Sequence, residues 1–424
     1  MEEEKRVLLV TPHRAKEGGR REYLKDRETR SLVDTLGYHI VMQLSPTLKE
    51  ENRNTYIGPG QAGEVRDVAL SYDPDLVIFD SCLTPREEKN LEEVIGYEIM
   101  DRESLIISIF EENAHSKEAK LELEKARLEY LKPRIQNRNA SYSQQRGGVR
   151  GAKGSGERET ELLRRNIDRY IFSIERELEK IKRQREAKRK ERERSELFSF
   201  ALTGYTNSGK SSLLNLLTGS DVLAEDKLFA TLDTTVRRLM LPGGQEVLLS
   251  DTVGFVSDLP HSLVNAFSST LEEALSSTKI IIVLDLSHPD VEMTYEVTKS
   301  TLEELGAFEK VALVVLNKAD QIDNDISYSR LRSLPIRTVT TSVKEKSGID
   351  ELLNALEEIT MEDYGNYSFT LPLGKGLWEY VRKGDLIKSV DYQDIDMIVH
   401  MRCRKSNFPY YASIVEKIKA SDRT

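Results

Sequence analysis

One stretch of the chain combines the residue types that can hold a triphosphate. Residues 204–211 fit the pattern of Gly, any four residues, Gly-Lys, and Ser or Thr. In such a loop, backbone N–H groups point at phosphate oxygens, Lys210 neutralises the β and γ oxygens, and the Ser211 hydroxyl can ligate Mg²⁺. Taken alone, the pattern also fits a tight glycine turn between a strand and a helix. The predicted phosphate loop consists of Gly204, Tyr205, Thr206, Asn207, Ser208, Gly209, Lys210 and Ser211.

Two further polar stretches each follow a short apolar run that is typical of a buried strand. The first begins with Asp251, whose carboxylate at a strand end can hold a Mg²⁺-bound water. The second ends with Asp320, which can accept two hydrogen bonds from the N1 and N2 edge of guanine. Adenine lacks this pair of donors, and a buried polar group left unpaired costs about 1–3 kcal/mol. The two stretches are Asp251, Thr252, Val253 and Gly254, and Asn317, Lys318, Ala319 and Asp320. Three such stretches in this order predict an enzyme that hydrolyses GTP.

Length and composition limit the classes of protein to consider. The 424 residues predict two to four domains, each with its own core. Cys82 and Cys403 lie too far apart in sequence to suggest a metal site or a disulfide, which favours a reducing compartment. The N-terminus lacks the basic and apolar regions of a signal peptide, and the chain has no apolar run of transmembrane length. We therefore expect a cytoplasmic protein.

The formal net charge of −10 conceals an uneven distribution. Residues 132–194 contain 20 Lys or Arg against 10 Asp or Glu, so the rest of the chain carries about −20. A basic arm on an acidic protein is typical of a segment that contacts a polyanion, although a solvated helix face has the same appearance.

The residues before the phosphate loop divide into two parts. Over residues 1–110, strand patterns at 6–10, 38–44 and 76–79 alternate with helical patterns at 22–36, 61–71 and 85–94, which predicts a parallel sheet. A long helix is then predicted over residues 101–135, with apolar residues repeating every seven positions and Pro133 marking its end. A second apolar stripe at helical spacing predicts an antiparallel partner helix. The stripe consists of Leu163, Ile167, Tyr170, Ile174, Leu178 and Ile181.

Between these two helices lies a stretch rich in glycine, serine, glutamine and arginine. Residues 137–156 cannot bury enough apolar surface to order themselves, so we predict a mobile loop whose basic side chains suit the phosphates of RNA.

Several stretches resemble the HflX-type GTPases of the TRAFAC class, which associate with ribosomes. They are residues 101–135, the glycine-rich loop, GYTNSGKSSLLNLLTG at 204–219, LFATLDTT at 228–235 and DTVGFVSDLPHSLVNAFSSTLEEA at 251–274. The resemblance covers residues 1–360. It implies a protein that binds the large ribosomal subunit and, in its GTP state, separates stalled or idle ribosomes into subunits.

The resemblance also assigns residues to the nucleotide. It implies Mg²⁺ held by Ser211 and Thr231, with Asp251 acting through water, and catalytic roles for Lys210, Thr231 and Gly254. The implied first switch is Phe229, Ala230, Thr231, Leu232 and Asp233, and the implied last guanine-side loop includes Ser342, Val343 and Lys344. The sequence departs from the family where Thr234 replaces a frequent Pro and Val343 a usual Ala, and either change can alter nucleotide affinity.

Two residues bear on catalysis. Phe255 stands where many GTPases have a Gln that orients water, so we predict slow hydrolysis that a partner, the ribosome, stimulates. Related GTPases with Asn at the position of Asn207 bind K⁺ there; the alternative is that Asn207 only caps the loop.

The expected fold class is α/β. We predict a small parallel α/β domain over residues 1–110, a helical hairpin over 111–196 with the loop at 137–156, a P-loop GTPase domain over 197–362, and a small α+β domain over 363–424. In the last of these we expect strands at 367–371, 387–390 and 395–402, helices at 376–383 and 411–418, and Trp378 in the core. We expect a monomer. Two alternatives remain open: a regulatory GTPase module that docks a protein or membrane partner, and a GTPase that remodels free RNA.

Overall fold

A computed structural model describes residues 4–14, 19–145, 153–195, 197–219, 228–229, 235–257, 263, 275–322, 325–374, 376–382, 384–393 and 395–422. Within these ranges the chain forms a four-stranded, a six-stranded, a three-stranded and a small two-stranded sheet. The α/β class predicted from the sequence is confirmed. No helix in the described part of the chain is long and apolar enough to cross a membrane.

The first unit is a parallel sheet in the order β3-β1-β5-β6. Its strands are β1 (Arg6–Val10), β3 (His39–Leu44), β5 (Leu76–Phe79) and β6 (Ile99–Asp101), and the short strands β2 (His13–Arg14) and β4 (Thr47–Leu48) pair beside it. Its helices are α1 (Gly19–Thr35), α2 (Pro59–Tyr72), α3 (Pro85–Ile95) and α4 (Arg102–Asn113). Successive side chains of β1 enter two different cores, with Val7 and Leu9 on one face and Leu8 and Val10 on the other. Both faces of the sheet are therefore covered, as a parallel sheet requires.

The predicted helical hairpin is present, but two details of the prediction are wrong. The helix expected over residues 101–135 is two helices, because Ser116 starts a new one by accepting a hydrogen bond from the N–H of Ala119 at 3.1 Å. That second helix, α5 (Lys117–Gln145), also continues through Pro133. Tyr130 and Arg134 are buried on either side of the proline, and their packing offsets a proline penalty of about 3 kcal/mol.

Helix α6 (Lys153–Ser195) returns antiparallel to α5. Because α5 reaches Gln145 and α6 begins at Lys153, helical backbone covers both ends of the predicted loop, and residues 146–152 lie outside the described part of the chain. Of the predicted apolar stripe, Ile174 is buried, whereas Tyr170 is 48% exposed and donates to Glu124 at 2.7 Å. Interhelical ion pairs supplement this packing, and they join Lys117 to Glu177, Lys125 to Glu175 and Lys132 to Asp168.

The third unit is a six-stranded sheet in the order β12-β11-β10-β7-β9-β8, parallel except for its edge strand β8. The strands are β7 (Phe198–Thr203), β8 (Thr235–Met240), β9 (Glu246–Asp251), β10 (Lys279–Asp285), β11 (Val311–Asn317) and β12 (Thr338–Thr340). The helices are α7 (Lys210–Thr218), α8 (Val291–Glu304), α9 (Asp325–Arg332) and α10 (Ile349–Glu362). Because β7, β9, β10 and β11 are parallel, their carboxyl ends meet at one edge of the sheet.

The last unit is an antiparallel sheet in the order β13-β15-β14 with one helix packed on it. Its elements are β13 (Tyr364–Pro372), β14 (Leu386–Gln393), β15 (Asp396–Arg404) and α11 (Phe408–Asp422). The three strands and the last helix were predicted. The prediction of a helix over 376–383 is wrong, because the described residues 376–382 form only a 3₁₀ turn, at Trp378–Tyr380, and Trp378 is 51% exposed rather than in the core.

Candidate nucleotide-binding site

The phosphate loop lies between the end of β7 and the start of α7, as the sequence pattern requires. Glycine is needed at both ends of the loop. A Cβ on Gly204, whose φ is +144°, would lie 2.2 Å from the carbonyl oxygen of Val283. A Cβ on Gly209, at φ +88°, would lie 2.3 Å from Nδ2 of Asn317. At these two positions the loop therefore packs against β10 and β11 more closely than a residue with a Cβ atom could.

Lys210 is buried at the start of α7 and folds back over the loop. Its ammonium group donates to the carbonyl oxygens of Gly204 at 3.2 Å and Tyr205 at 2.8 Å. Burial lowers the pKa of Lys210 to about 8, and the nearby Asp251 carboxylate opposes this shift. The charge is thus held beside the loop, where the β and γ phosphates are predicted to lie.

Ser211 and Asp251 come together although they are 40 residues apart. The Ser211 hydroxyl donates to Oδ2 of Asp251 at 2.5 Å, and the Asp251 side chain is fully buried at the end of β9. A hydroxyl beside a carboxylate is the hard oxygen donor set that suits Mg²⁺. These two side chains therefore fit the ion that the sequence predicted for them. Thr231, the third predicted ligand, lies outside the described residues.

The predicted guanine-binding residues also converge. The amide of Asn317 donates to the carbonyl oxygen of Ser208 at 3.0 Å, which ties this loop to the phosphate loop. The Ser342 hydroxyl donates to Oδ1 of Asp320 at 2.6 Å. This hydrogen bond lowers the pKa of Asp320, and Lys344 contributes in the same direction. An ionised carboxylate is therefore held at the position where guanine donors are expected.

Neighbouring residues fix the conformation of the predicted guanine-binding loops. The N–H of Ala319 donates to Thr341 at 3.1 Å, and the hydroxyl of Thr341 donates to Oδ1 of Asn317 at 3.3 Å. Lys318 adopts φ 59° and pairs with Asp285 at 2.8 Å. Val343, where the family usually has Ala, is partly buried against the core of the sheet.

The segment after β9 lies directly on the phosphate loop. The N–H of Phe255 donates to Gly204 at 3.0 Å, and its carbonyl accepts from the N–H of Thr206 at 2.7 Å. A Cβ on Gly254 would lie 2.7 Å from Cα of Thr206 and 3.0 Å from Nζ of Lys210. The Phe255 side chain is 4% exposed, so it packs in the interior. Thr252 donates to the carbonyl of Leu202 at 2.7 Å, which anchors the start of the segment to β7.

Of the predicted first switch, the structure describes Phe229, whereas Ala230, Leu232 and Asp233 lie with Thr231 outside the described residues. Phe229 is 2% exposed although its φ is 58°, and its ring centre lies 4.4 Å from that of Phe110 on α4. The family resemblance implies that a second switch starts at Asp251–Gly254, in the segment after β9. Residues in or next to the two predicted switch segments share one hydrophobic cluster with the N-terminal sheet. They are Leu228, Phe229, Val253, Val256 and Leu263.

Several residues at this site were not predicted from the sequence. Asp285 is the last residue of β10, so it could have been predicted in the same way as Asp251, from its position at the carboxyl end of a strand. Glu28, Asp80 and Arg102 carry no comparable local signal, because they reach the site from the N-terminal unit. Arg102 donates to the carbonyl oxygen of Ser257 at 2.9 Å across 155 residues of sequence.

Comparisons with known proteins identify the families and relatives that this chain resembles. Three family models match the chain: "GTP-binding GTPase N-terminal" over residues 24–111, "GTP-binding GTPase Middle Region" over 113–192, and "50S ribosome-binding GTPase" over 199–318. A protein named GTPase HflX from Caldanaerobacter subterraneus is 38% identical over 87% of this chain and 84% of its own length. Another GTPase HflX, from Spirochaeta thermophila, is 38% identical over 94% of this chain and 96% of its own length. A crystal structure of a GTP-binding protein from Sulfolobus solfataricus in complex with GDP matches 84% of this chain and 99% of that chain, with 25% identity and a TM-score of 0.44.

Proposed function

The chain belongs to the HflX family of GTPases, and from this premise we propose that it docks on the large ribosomal subunit in its GTP state and separates stalled or idle ribosomes into subunits. One observation supports the proposal above others: the switch segments of the GTPase pack inside the core of the N-terminal unit. That unit also carries the hairpin with the basic arm, through contacts of α5 with α3 and α4. A rearrangement of the switches at the γ-phosphate would therefore also displace the hairpin, whose basic arm is the proposed contact with RNA.

The proposed site uses the residues as follows. Loop amides from Gly204 to Ser211 and the Lys210 ammonium bind the phosphates, and Asp320 with Asn317 binds guanine. Ser211, Thr231 and Asp251 are the proposed residues for holding Mg²⁺, which when bound supplies charge stabilisation at the transferring phosphoryl group. The N–H of Gly254 faces the γ-phosphate in this proposal.

Hydrolysis by the protein alone should be slow. The residue after Gly254 is Phe255, whose buried ring cannot hydrogen-bond to an attacking water. Positioning of that water must then come from backbone groups and from the partner. Asn207 has φ 58° and stands in the loop where a monovalent cation would add positive charge, so we propose K⁺ dependence.

The decisive measurement is GTP turnover in K⁺ and in Na⁺ buffer, with purified large subunits, with stripped ribosomal RNA, and with neither. We expect strong stimulation by intact subunits only, followed by separation of 70S ribosomes into subunits in a sucrose gradient. Stimulation by stripped RNA would favour an enzyme acting on free RNA. No stimulation in either salt would refute the ribosome-activated proposal.

The basic arm can be tested separately by changing charge without deleting backbone. The triple variant R146Q, R150Q and K153Q removes three charges from the predicted RNA contact. We expect the slope of log affinity for the large subunit against log salt to fall by about 2, at ~0.7 per phosphate contact. The matched control K388Q, K417Q and K419Q makes the same charge change on the C-terminal unit. An equal change of slope in both variants would argue against the arm as the contact.

A further inference from the structure

The apolar face of the C-terminal sheet is longer than the helix that covers it. Leu371 on β13 and Met397 on β15 are buried in the core that the sheet shares with α11. Side chains two residues apart along a strand point to the same face, so Leu373 and Ile395 continue these two rows. The N–H of Leu373 donates to the carbonyl oxygen of Ile395 at 3.1 Å, which extends the pairing of β13 and β15 beyond their ends. Even so, Leu373 is 46% exposed and Ile395 is 80% exposed.

Tyr392 on β14 is a third exposed member of this surface. It lies opposite Met397 in the ladder, and residues directly opposite each other point to the same face of a sheet. Tyr392 is nevertheless 70% exposed. In the part of the chain that the structure describes, β14 pairs with β15 alone, so Tyr392 also stands on an open edge. Leu373, Tyr392 and Ile395 together form the sheet tip.

Carboxylates border the sheet tip. Residues 389–398 contain three aspartates and no lysine or arginine. Oδ2 of Asp391 lies 3.0 Å from Nε2 of His400, and the Asp391 side chain remains 64% exposed. Within the described ranges, neither Asp391 nor the partly exposed Asp396 forms an ion pair with a lysine or an arginine. The surface is therefore apolar at its centre and negative at its border.

This combination of apolar and acidic side chains fits one kind of partner. The phosphates of RNA would be repelled by the carboxylates, and a second copy of this chain would bring like charges together. A protein surface with lysine or arginine around an apolar patch matches both features of the tip. The basic arm over residues 132–194 carries the opposite charge, so the two parts of the molecule suit different components of a larger assembly.

We propose that the sheet tip is a docking surface for a basic protein. Tyr392 is the central anchor, because a tyrosine at the centre of an interface is often one of the few residues that contribute most to affinity. Asp391 and Asp396 pair with basic side chains of the partner. The identification of that partner as a protein of the large ribosomal subunit rests on the function proposed above, whereas the chemistry of the tip does not.

The test places the photo-reactive residue p-benzoylphenylalanine in place of Tyr392 in the full chain. The protein is irradiated with purified large subunits and a non-hydrolysable GTP analogue, and ribonuclease digestion and mass spectrometry then identify the cross-linked products. The same residue in place of Phe172, which is exposed on α6, shows whether the hairpin lies near RNA. Co-sedimentation with the subunits tests the proposed function in parallel. The cross-linking is repeated with RNA-free proteins extracted from large subunits.

Variants of the tip are compared with matched variants of α2 in the N-terminal unit. One change replaces an exposed apolar residue with serine, and the other removes two negative charges. The variants are I395S and the pair D391N and D396N at the tip, and L70S and the pair E64Q and D67N on α2. Thermal unfolding establishes that each variant is folded.

We expect the cross-link from position 392 to join a lysine- or arginine-rich segment of a protein. Its yield should fall about fivefold or more in both tip variants, while the α2 variants match the parent protein. The proposal is overturned if position 392 cross-links to RNA or to a second copy of this chain, if it gives no product, or if the yield ignores the loss of the two charges.

The experiment also separates this proposal from the proposed function. Co-sedimentation with large subunits but no protein cross-link from position 392 would refute the docking surface alone. Loss of co-sedimentation, together with a charge-dependent cross-link to an extracted basic protein, would refute the ribosomal function and support the docking surface.

Discussion

Guanine specificity can be tested at a single carboxylate. In the substitution D320N, one acceptor oxygen becomes an NH₂ donor of nearly the same size and shape. The wild-type side chain is fixed by the Ser342 hydroxyl at 2.6 Å on Oδ1, and its pKa is lowered by that hydrogen bond, so it is an ionised double acceptor at neutral pH. Asparagine keeps one acceptor for N1–H but faces the guanine 2-amino group with a donor.

The size of the effect follows from the hydrogen bonds lost. Each hydrogen bond to a charged group contributes about 1.5–3 kcal/mol, and the unmatched pair of donors adds a desolvation cost of about 1–3 kcal/mol. One bond lost and one pair unmatched therefore predict a loss of roughly 3–5 kcal/mol, which is about 10²- to 10⁴-fold in the Kd of GDP. Xanthine carries an oxygen at position 2, so the amide introduced by D320N can donate to it, and the variant should bind XDP more tightly than GDP.

Displacement of a fluorescent guanine nucleotide, followed by calorimetry with GDP and XDP, measures both effects. The variant S342A tests a smaller change, because it leaves the Asp320 carboxylate intact but removes the hydrogen bond that orients it. We expect its affinity for GDP to fall by about tenfold or less. A D320N protein that binds GDP within threefold of the wild type would refute the assignment of Asp320 to guanine. Equal loss of GDP and XDP would show that the substitution had disturbed the loop instead.

Three further predictions concern stability and reactivity. Gly63 lies inside α2, and a Cβ added there would meet no atom of the described residues within 4 Å, so G63A should raise the free energy of unfolding by about 0.5–1 kcal/mol in a denaturant titration. Burial raises the pKa of Cys403 to about 12, so a thiol reagent at pH 8 should modify Cys82 in the native protein and both thiols only after unfolding. The variant G204A should abolish nucleotide binding while the protein remains folded, because its Cβ would lie 2.2 Å from the Val283 carbonyl; calorimetry with GDP and a thermal melt check both parts.

Local signals predicted the parts of the fold that local chemistry determines. Three strands of the N-terminal parallel sheet are short apolar runs, and β1, β3 and β5 are found where the sequence indicated. The residues predicted to bind guanine and phosphate lie close together because parallel strands bring their carboxyl ends to one edge of the sheet. The convergence of Asp320 with Ser342 follows from that rule.

Other features depend on contacts that no short window of sequence contains. Pro133 was expected to end a helix, yet the burial of Tyr130 and Arg134 in the N-terminal unit extends α5 beyond it. Phe255 could be identified as unable to orient water, but its place inside the protein could not. Arg102 looked like one of many charges at a helix start, and only the fold brings it to Ser257.

The packing of the two predicted switch segments determines how much free energy their release from the N-terminal unit would cost. Five of their apolar side chains lie in the core of the N-terminal unit, and burying one such side chain contributes about 1.5–3 kcal/mol. Withdrawing all five into water would therefore cost roughly 7–15 kcal/mol, more than a ligand with a small preference between two states can supply. The N-terminal unit should accordingly move with the switches rather than release them. Such coupling is reciprocal. A partner that favours one position of the N-terminal unit must therefore change the affinity of the protein for GTP, and GTP must change the affinity for that partner by the same factor.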